Sequence, residues 1–339
     1  MTKTESTLRK PLIFYLEIFS IFRDNNRKLL WIKMIEVLII GSGPAGYTAG
    51  IYSARAGRKT VLISGAQKGG QLMISPEIEN FPGFGDPLSG PELMERMLEQ
   101  TQKMGVEIID DVIASVDFLG QYPICFGESG TTYTSKTLII ATGATARWLG
   151  IPGETKYRGA GVSACATCDG FFFRNKNVAV VGGGNTALEE AIFLTNFANS
   201  VTLIHRRETL RAEKILQDRF FNNPKTNVMW NTSVVDILGD GNKVTELSLE
   251  DNDGKRFTKP IEGIFIAIGH SPATAVFKDH IELDKNGYIV VEKGSTKTSR
   301  RGIFAAGDVC DPIYRQAITS AAQGCMAAID ADRFLSMNN

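Results

Sequence analysis

Two cysteines with two residues between them are followed at once by an acid in the run Cys165-Ala166-Thr167-Cys168-Asp169. A Cys-x-x-Cys pair suits two chemistries, half of a zinc site or a short-loop disulfide that opens and closes reversibly. Zinc would need two further ligands. Cys125, Cys310, Cys325, His205, His270 and His280 stand at no ligand spacing, so the disulfide is the better reading and no metal is expected. The dithiol lies between two glycine fingerprints, Gly41-Ser42-Gly43-Pro44-Ala45-Gly46 and Gly182-Gly183-Gly184-Asn185-Thr186-Ala187. Each fingerprint alone is a weak signal. Two of them with one dithiol describe an electron path from a nicotinamide through a flavin to a disulfide.

The elements around each fingerprint fit that reading. Glu36 to Ile40 is a continuous aliphatic run that suits a buried parallel strand. It feeds the first glycine turn, a helical stretch from Tyr47 to Ala56 and a second strand from Thr60 to Ser64. Gly41 allows the tight turn, Gly43 lets the backbone approach a pyrophosphate, and Gly46 lets helix and strand pack closely. The pyrophosphate then sits at the helix N-terminus, where free N–H groups and the dipole favour negative charge. The pattern returns with Asn177 to Val181, the second turn, a helix from about Leu188 to Phe197, and a strand from Val201 to Ile204. Similar strand-then-glycine segments recur at Leu138–Gly143 and Ile264–Gly269. The predicted fold is α/β, with two Rossmann-like domains of three-layer ββα build.

The ends of the second strands distinguish the two nucleotides. After the second fingerprint the chain reads His205-Arg206-Arg207, with Arg211 just beyond, and guanidiniums there suit the 2′-phosphate of NADPH. The first unit ends Ser64-Gly65-Ala66-Gln67 and lacks the usual acid for an adenosine ribose. FAD is assigned to it from the C-terminal region. There a short strand ends in Gly307-Asp308, placing a carboxylate for a ribityl hydroxyl, and Arg315-Gln316-Ala317 opens a helix through about Phe334. The FAD domain is therefore discontinuous. It is expected at 34–146 and 275–339, with the NADPH-binding domain and its dithiol at 147–274.

The bulk properties exclude several alternatives. Lys+Arg and Asp+Glu each number 37 in 339 residues, so no global field favours nucleic acid or an anionic membrane. Five cysteines suit a cytoplasmic redox protein rather than a secreted disulfide scaffold. The apolar run Leu12–Phe22 is too short to span a membrane, which takes about 20 residues, and Glu17 interrupts it. Residues 1–33 are expected to be a disordered N-terminal extension.

From residue 34 to about 335 the sequence closely resembles the low-molecular-weight thioredoxin reductases. The resemblance rests on GSGPAGYTA, KGGQL, ATGA, SACATCDGFF, GGGNTALEEA, HRRETLRAEKI, AIGHSP and FAAGDV followed by IYRQAITSAAQGCMAA. It implies a homodimeric flavoprotein that reduces thioredoxin with NADPH, and FAD contacts at Gln71, Asn80, Thr142, Asp308, Arg315, Gln316 and Ala317. It implies further that Cys168 faces the flavin, Cys165 attacks the disulfide of thioredoxin, and Asp169 is the general acid. The family also characteristically lacks the ribose-binding acid. Finally, it implies rotation of the NADPH domain about two linkers, Ala144–Trp148 and His270–Ala275. A related dithiol oxidase would not need the arginines, and a dithiol-free NADPH reductase would not need the cysteines. A peroxide-detoxifying relative carries a longer N-terminal thiol domain, and a nucleotide sensor has no reason to keep two sulfurs beside an acid.

Overall fold

The computed structural model describes residues 34–75 and 77–338, so the expected N-terminal extension lies outside the described residues. Ile35–Ile40 forms the centre of a seven-stranded sheet, parallel to Thr60–Ile63 on one side and to Thr132–Ile140 on the other. Its side chains alternate between two cores. Val37 and Ile39 pack with the helices, whereas Leu38 and Ile40 pack with the hairpin strands Ile113–Asp117 and Ile124–Gly127. Both faces are covered, which explains why this strand reads as an unbroken aliphatic run. Each fully buried side chain of this kind stabilises the fold by roughly 1.5–3 kcal/mol.

On the helical face lie α1 (Pro44–Arg55), α2 (Gly90–Lys103) and α6 (Ala317–Met337). Helix α1 starts before the expected Tyr47, because Pro44 occupies its first turn, where a missing N–H costs nothing. The last strand, Ile303–Ala305, pairs in parallel with Thr132–Ile140 although it follows the second sheet in sequence. Its register puts Ala305 beside Ile140, and Ile140 is itself beside Ile40. Three strands therefore end at one level. That level brings the Gly41 turn, Thr142 and Asp308 to one edge of the sheet.

The second sheet is fully parallel, in the order Thr226–Met229, Ser200–Ile204, Asn177–Val181, Gly263–Ile266, Val162–Ser163. Helices α4 (Asn185–Leu194) and α5 (Lys214–Phe221) cover one face. An antiparallel meander of Thr232–Gly239, Val244–Asp251 and Arg256–Pro260 covers the other. Both sheets thus have the expected helix–sheet–sheet layering. Between Asn177–Val181 and Val162–Ser163 the chain also forms α3, a four-residue turn over Ala166–Asp169. The two chain crossings run side by side, since Ala144–Ala146 pairs antiparallel with His270–Pro272.

Candidate functional site

A cavity of about 1130 Å³ opens at the level where the strands of the first sheet end. Its size lies just beyond the usual range for ligand clefts, about 300–1,000 Å³, as an extended dinucleotide requires. Gly41, Gly43, Pro44 and Ala45 form one wall, and Gln71, Thr142, Gly307, Asp308, Arg315, Gln316 and Ala317 also line it. Gly41 has φ +111°, and a Cβ there would stand 2.2 Å from the Ala141 carbonyl oxygen. Only glycine can make this turn. At Gly43 a Cβ would meet no atom within 4 Å, so its backbone faces open space. Gly46 is buried behind the turn, and Asn80 reaches the site through its amide, which donates to Gln316 Oε1 at 3.4 Å.

The opposite wall comes from the second sheet. Cys165, Cys168 and Asp169 line the same cavity, and the two sulfurs form a disulfide with Cα atoms 5.3 Å apart. The backbone N–H of Cys168 points at Cys165 Sγ, 3.2 Å away, and the Thr167 hydroxyl lies 3.3 Å from the same sulfur. After reduction the Cys168 N–H favours a thiolate on Cys165. Burial pushes the carboxyl of Asp169 above the usual carboxylate range, against a hydrogen bond from Ser163 that lowers it. Burial likewise pushes Asp308 up to about 6, although Ser320 Oγ donates to it at 2.9 Å.

Arg315 departs from expectation. It has φ +48°, a left-handed conformation uncommon outside glycine, so it cannot open the helix as its sequence position suggested. Instead Gln316 is the extended N-cap, in a reciprocal capping box with Thr319, and α6 begins at Ala317. The left-handed turn leaves Arg315 at the cavity wall.

The second fingerprint is placed differently. Of its predicted residues only Thr186 lines the cavity; Gly182, Gly184, Asn185, His205, Arg206, Arg207 and Arg211 do not. Arg206, Arg207 and Arg211 are exposed, and none pairs with a carboxylate among the described residues. His205 is buried, with Nδ1 2.8 Å from Gly182 O and Nε2 2.9 Å from Thr209 O. Its ring packs on Gly183, where a Cβ would come within 2.2 Å of it. It therefore braces the glycine turn and has no nitrogen left for a ligand. Asn185 is also engaged, exchanging two hydrogen bonds with Glu213.

The residues present fit both nucleotides. An open glycine wall and a buried carboxyl suit a flavin dinucleotide in the cavity, and unpaired exposed arginines suit a phosphorylated ribose beside the second turn.

A family model described as pyridine nucleotide-disulphide oxidoreductase matches residues 35–324. The chain belongs to that family. It is 51% identical over 304 residues to a thioredoxin reductase of Rickettsia conorii, covering 89% of this chain and 98% of that protein. It is also 53% identical over 311 residues to a glucosaminate ammonia-lyase of Pseudomonas fluorescens, covering 90% and 97%. Among solved structures, thioredoxin reductase from Streptococcus pyogenes superposes with a TM-score of 0.85 at 43% identity, over 90% of this chain and 99% of that one. Thioredoxin reductase from Lactococcus lactis in its FR conformation superposes at 0.61 with 40% identity, over 89% of this chain and 99% of that one.

Two side chains of this oxidoreductase's site were not expected in the cavity, Glu190, and His270, which the sequence placed only at a linker. Glu190 and His270 both line the cavity, and each has a buried polar atom without a hydrogen-bond partner among the described residues, Oε2 and Nδ1 respectively. Burial is the main cause of both shifts, pushing Glu190 up to about 8 and His270 down to about 4. The one sequence signal for Glu190 was its spacing. It follows Thr186 by one helical turn of α4, so the two share a face.

Proposed function

We propose that this chain is an NADPH-dependent thioredoxin-disulfide reductase. The observation that carries the reading is the Cys165–Cys168 disulfide forming one wall of the cavity whose other wall is the first glycine turn. Bound in that cavity, FAD supplies the two-electron couple between NADPH and the disulfide. Gly41, Gly43, Pro44, Ala45, Gly46, Gln71, Asn80, Thr142, Gly307, Asp308, Arg315, Gln316 and Ala317 would hold it. Gly182, Gly184 and Thr186 would receive NADPH, with Asn185 and His205 bracing the turn and Arg206, Arg207 and Arg211 on the 2′-phosphate.

The chain's own residues then complete the reduction. Cys168 takes the flavin-facing role, Cys165 attacks the disulfide of oxidised thioredoxin, and Asp169 gives a proton to the sulfur pair. Its raised proton affinity, caused by burial, makes it a better proton carrier than an ordinary exposed carboxyl. A dithiol oxidase would have no use for three exposed arginines. An ammonia-lyase reaction involves no net electron transfer and leaves a disulfide in the cavity with no task.

Because the dithiol already occupies the cavity wall, the second nucleotide turn needs a movement to bring its nicotinamide there. We take residues 34–146 with 275–339 as one lobe and 147–274 as the other, rotating about the linkers Ala144–Trp148 and His270–Ala275, within which Ala144–Ala146 pairs with His270–Pro272. Two relatives of similar identity that superpose at 0.85 and 0.61 over the same share of the chain support such a rearrangement. A homodimer is supported by exposed apolar side chains on α1 and α6, Tyr52, Ile318, Met326 and Ile329. No helix among the described residues is long and apolar enough to cross a membrane, and a cytoplasmic location is part of the proposal.

Anaerobic titration of the purified yellow protein with NADPH tests the reading. The flavin should bleach, and added oxidised thioredoxin should then be reduced. Cys165→Ser and Cys168→Ser should each abolish the second step but not the first; partner reduction by either variant at full rate would overturn the relay. Asp169→Asn should slow turnover by about 10²–10⁴-fold, the usual contribution of a placed proton donor.

A further inference from the structure

We propose that Glu190 is a second carboxyl of the disulfide centre, a positioning residue that keeps its own proton and so adds no buried charge beside Asp169. This rests on the redox reading of Cys165 and Cys168. The geometry comes first. Glu190 projects from α4 into the cavity that both sulfurs line, and its Oε2 is buried without a partner. The carboxyl faces the N–H of Ala166, the first helical residue after Cys165, so it sits directly behind the dithiol turn. The charged groups facing it are Arg315 from the loop before α6, Asp169 from α3 and Glu189 from α4 itself.

Proton accounting gives this placement a role. Opening the Sγ–Sγ bond to two thiols consumes two electrons and two protons. A hydride equivalent from NADPH brings both electrons and one proton. Asp169 supplies the other and is left as carboxylate. When the dithiol reduces a partner disulfide, both thiol protons leave with the partner, and Asp169 regains one from solvent. With Glu190 neutral, the Asp169 carboxylate forms without a second buried charge against it from α4. With Glu190 ionised, it and Asp169 repel each other, and like charges in one pocket oppose both ionisations. Burial, the largest cause of the shift to about 8, keeps the Glu190 proton in place at neutral pH. An unpartnered buried oxygen is far less costly as part of a neutral carboxyl than as a carboxylate.

The test uses full-length protein carrying Glu190→Gln or Glu190→Asp, with two readouts that a merely structural role would not move. The first is the oxidised-minus-reduced infrared difference spectrum in the protonated-carboxyl region. The second is the pH profile of iodoacetamide alkylation of the dithiol, after reduction with dithiothreitol. In the wild type a protonated-carboxyl band should titrate near 8, and the alkylation profile should inflect with it. Above that ionisation the wild-type dithiol should react up to about tenfold more slowly than Glu190→Gln, the effect of one pKa step on a thiolate. Glu190→Gln should lose the band that titrates near 8 and the inflection, while the band that Asp169 loses on reduction remains, and Glu190→Asp should move the first two without removing them. Persistence of either of those two in Glu190→Gln overturns the proposal. Full partner reduction by Cys165→Ser would instead overturn the redox reading beneath it, so the two failures are distinguishable.

Discussion

Gln316 Nε2 donates to Thr167 Oγ1 at 3.2 Å, joining the N-cap of the C-terminal helix to the turn between the two cysteines. The same amide oxygen accepts from Asn80, so the contact is braced from the first sheet's side. It is a direct polar tie across the cavity. One such exposed hydrogen bond contributes only about 0.5–1.5 kcal/mol, enough to hold an arrangement and weak enough to release it.

Thr167→Val should therefore favour separation of the two walls. A loss of that size corresponds to about a 2–10-fold shift in population. Iodoacetamide labelling of reduced Cys165 in the variant should rise by the same factor. Unchanged labelling would mean the bond does not restrain the turn.

The glycines of the first turn should separate folding from binding. A Cβ at Gly46 would come within 1.9 Å of the Gly41 carbonyl oxygen, a clash between backbones that no side-chain movement relieves. Gly46→Ala should lower the melting temperature and the yield of folded protein. Gly43→Ala meets nothing within 4 Å and should fold normally, yet be purified with little bound flavin. Circular dichroism with absorbance at the flavin band reads both outcomes.

Removal of the exposed guanidiniums should alter nucleotide choice. Hydrogen bonds to charged groups contribute about 1.5–3 kcal/mol each, so Arg206→Ala with Arg207→Ala should reduce the NADPH-over-NADH preference in kcat/KM by at least about tenfold. The wild-type preference should also weaken with added salt, as expected of solvent-exposed charges. An unaltered preference would dissociate this cluster from the 2′-phosphate.

Asp308 gives a pH dependence with a defined sign. Its folded-state pKa, about 6, lies above the ordinary 3.8 because burial penalises the carboxylate. The folded protein thus binds this proton more tightly than the unfolded chain. The stability it contributes is complete below 3.8 and is lost as pH rises through about 6. The shift corresponds to about 3 kcal/mol. Asp308→Asn should be flat across this window when its unfolding free energy is compared with wild type by denaturant titration.

Much of the fold was legible because its signals are local. A strand buried on both faces must be apolar at every position, so Ile35–Ile40 and Asn177–Val181 announced themselves as continuous runs ending in glycine turns. Helix limits were less legible. Helix α4 begins at Asn185 rather than Leu188, because polar residues after a glycine turn mask the first turn of helix. The antiparallel meander over 232–260 carried only weak alternation, being partly solvated on one face.

The sequence alone determined the chemistry available: two sulfurs at redox spacing, two glycine turns that accept only glycine at the tightest point, and a run of arginines where a phosphate would lie. Those depend on bonded neighbours and short-range sterics. Tertiary structure alone decided which of these groups share one cavity. The register of Ile40, Ile140 and Ala305 aligns segments far apart in the chain. Packing turned His205 inward against Gly183, and the left-handed Arg315 placed a guanidinium opposite Glu190. Burial of Glu190 then set its protonation, because the cost of a charge depends on everything that excludes water around it, and no spacing along the chain encodes that.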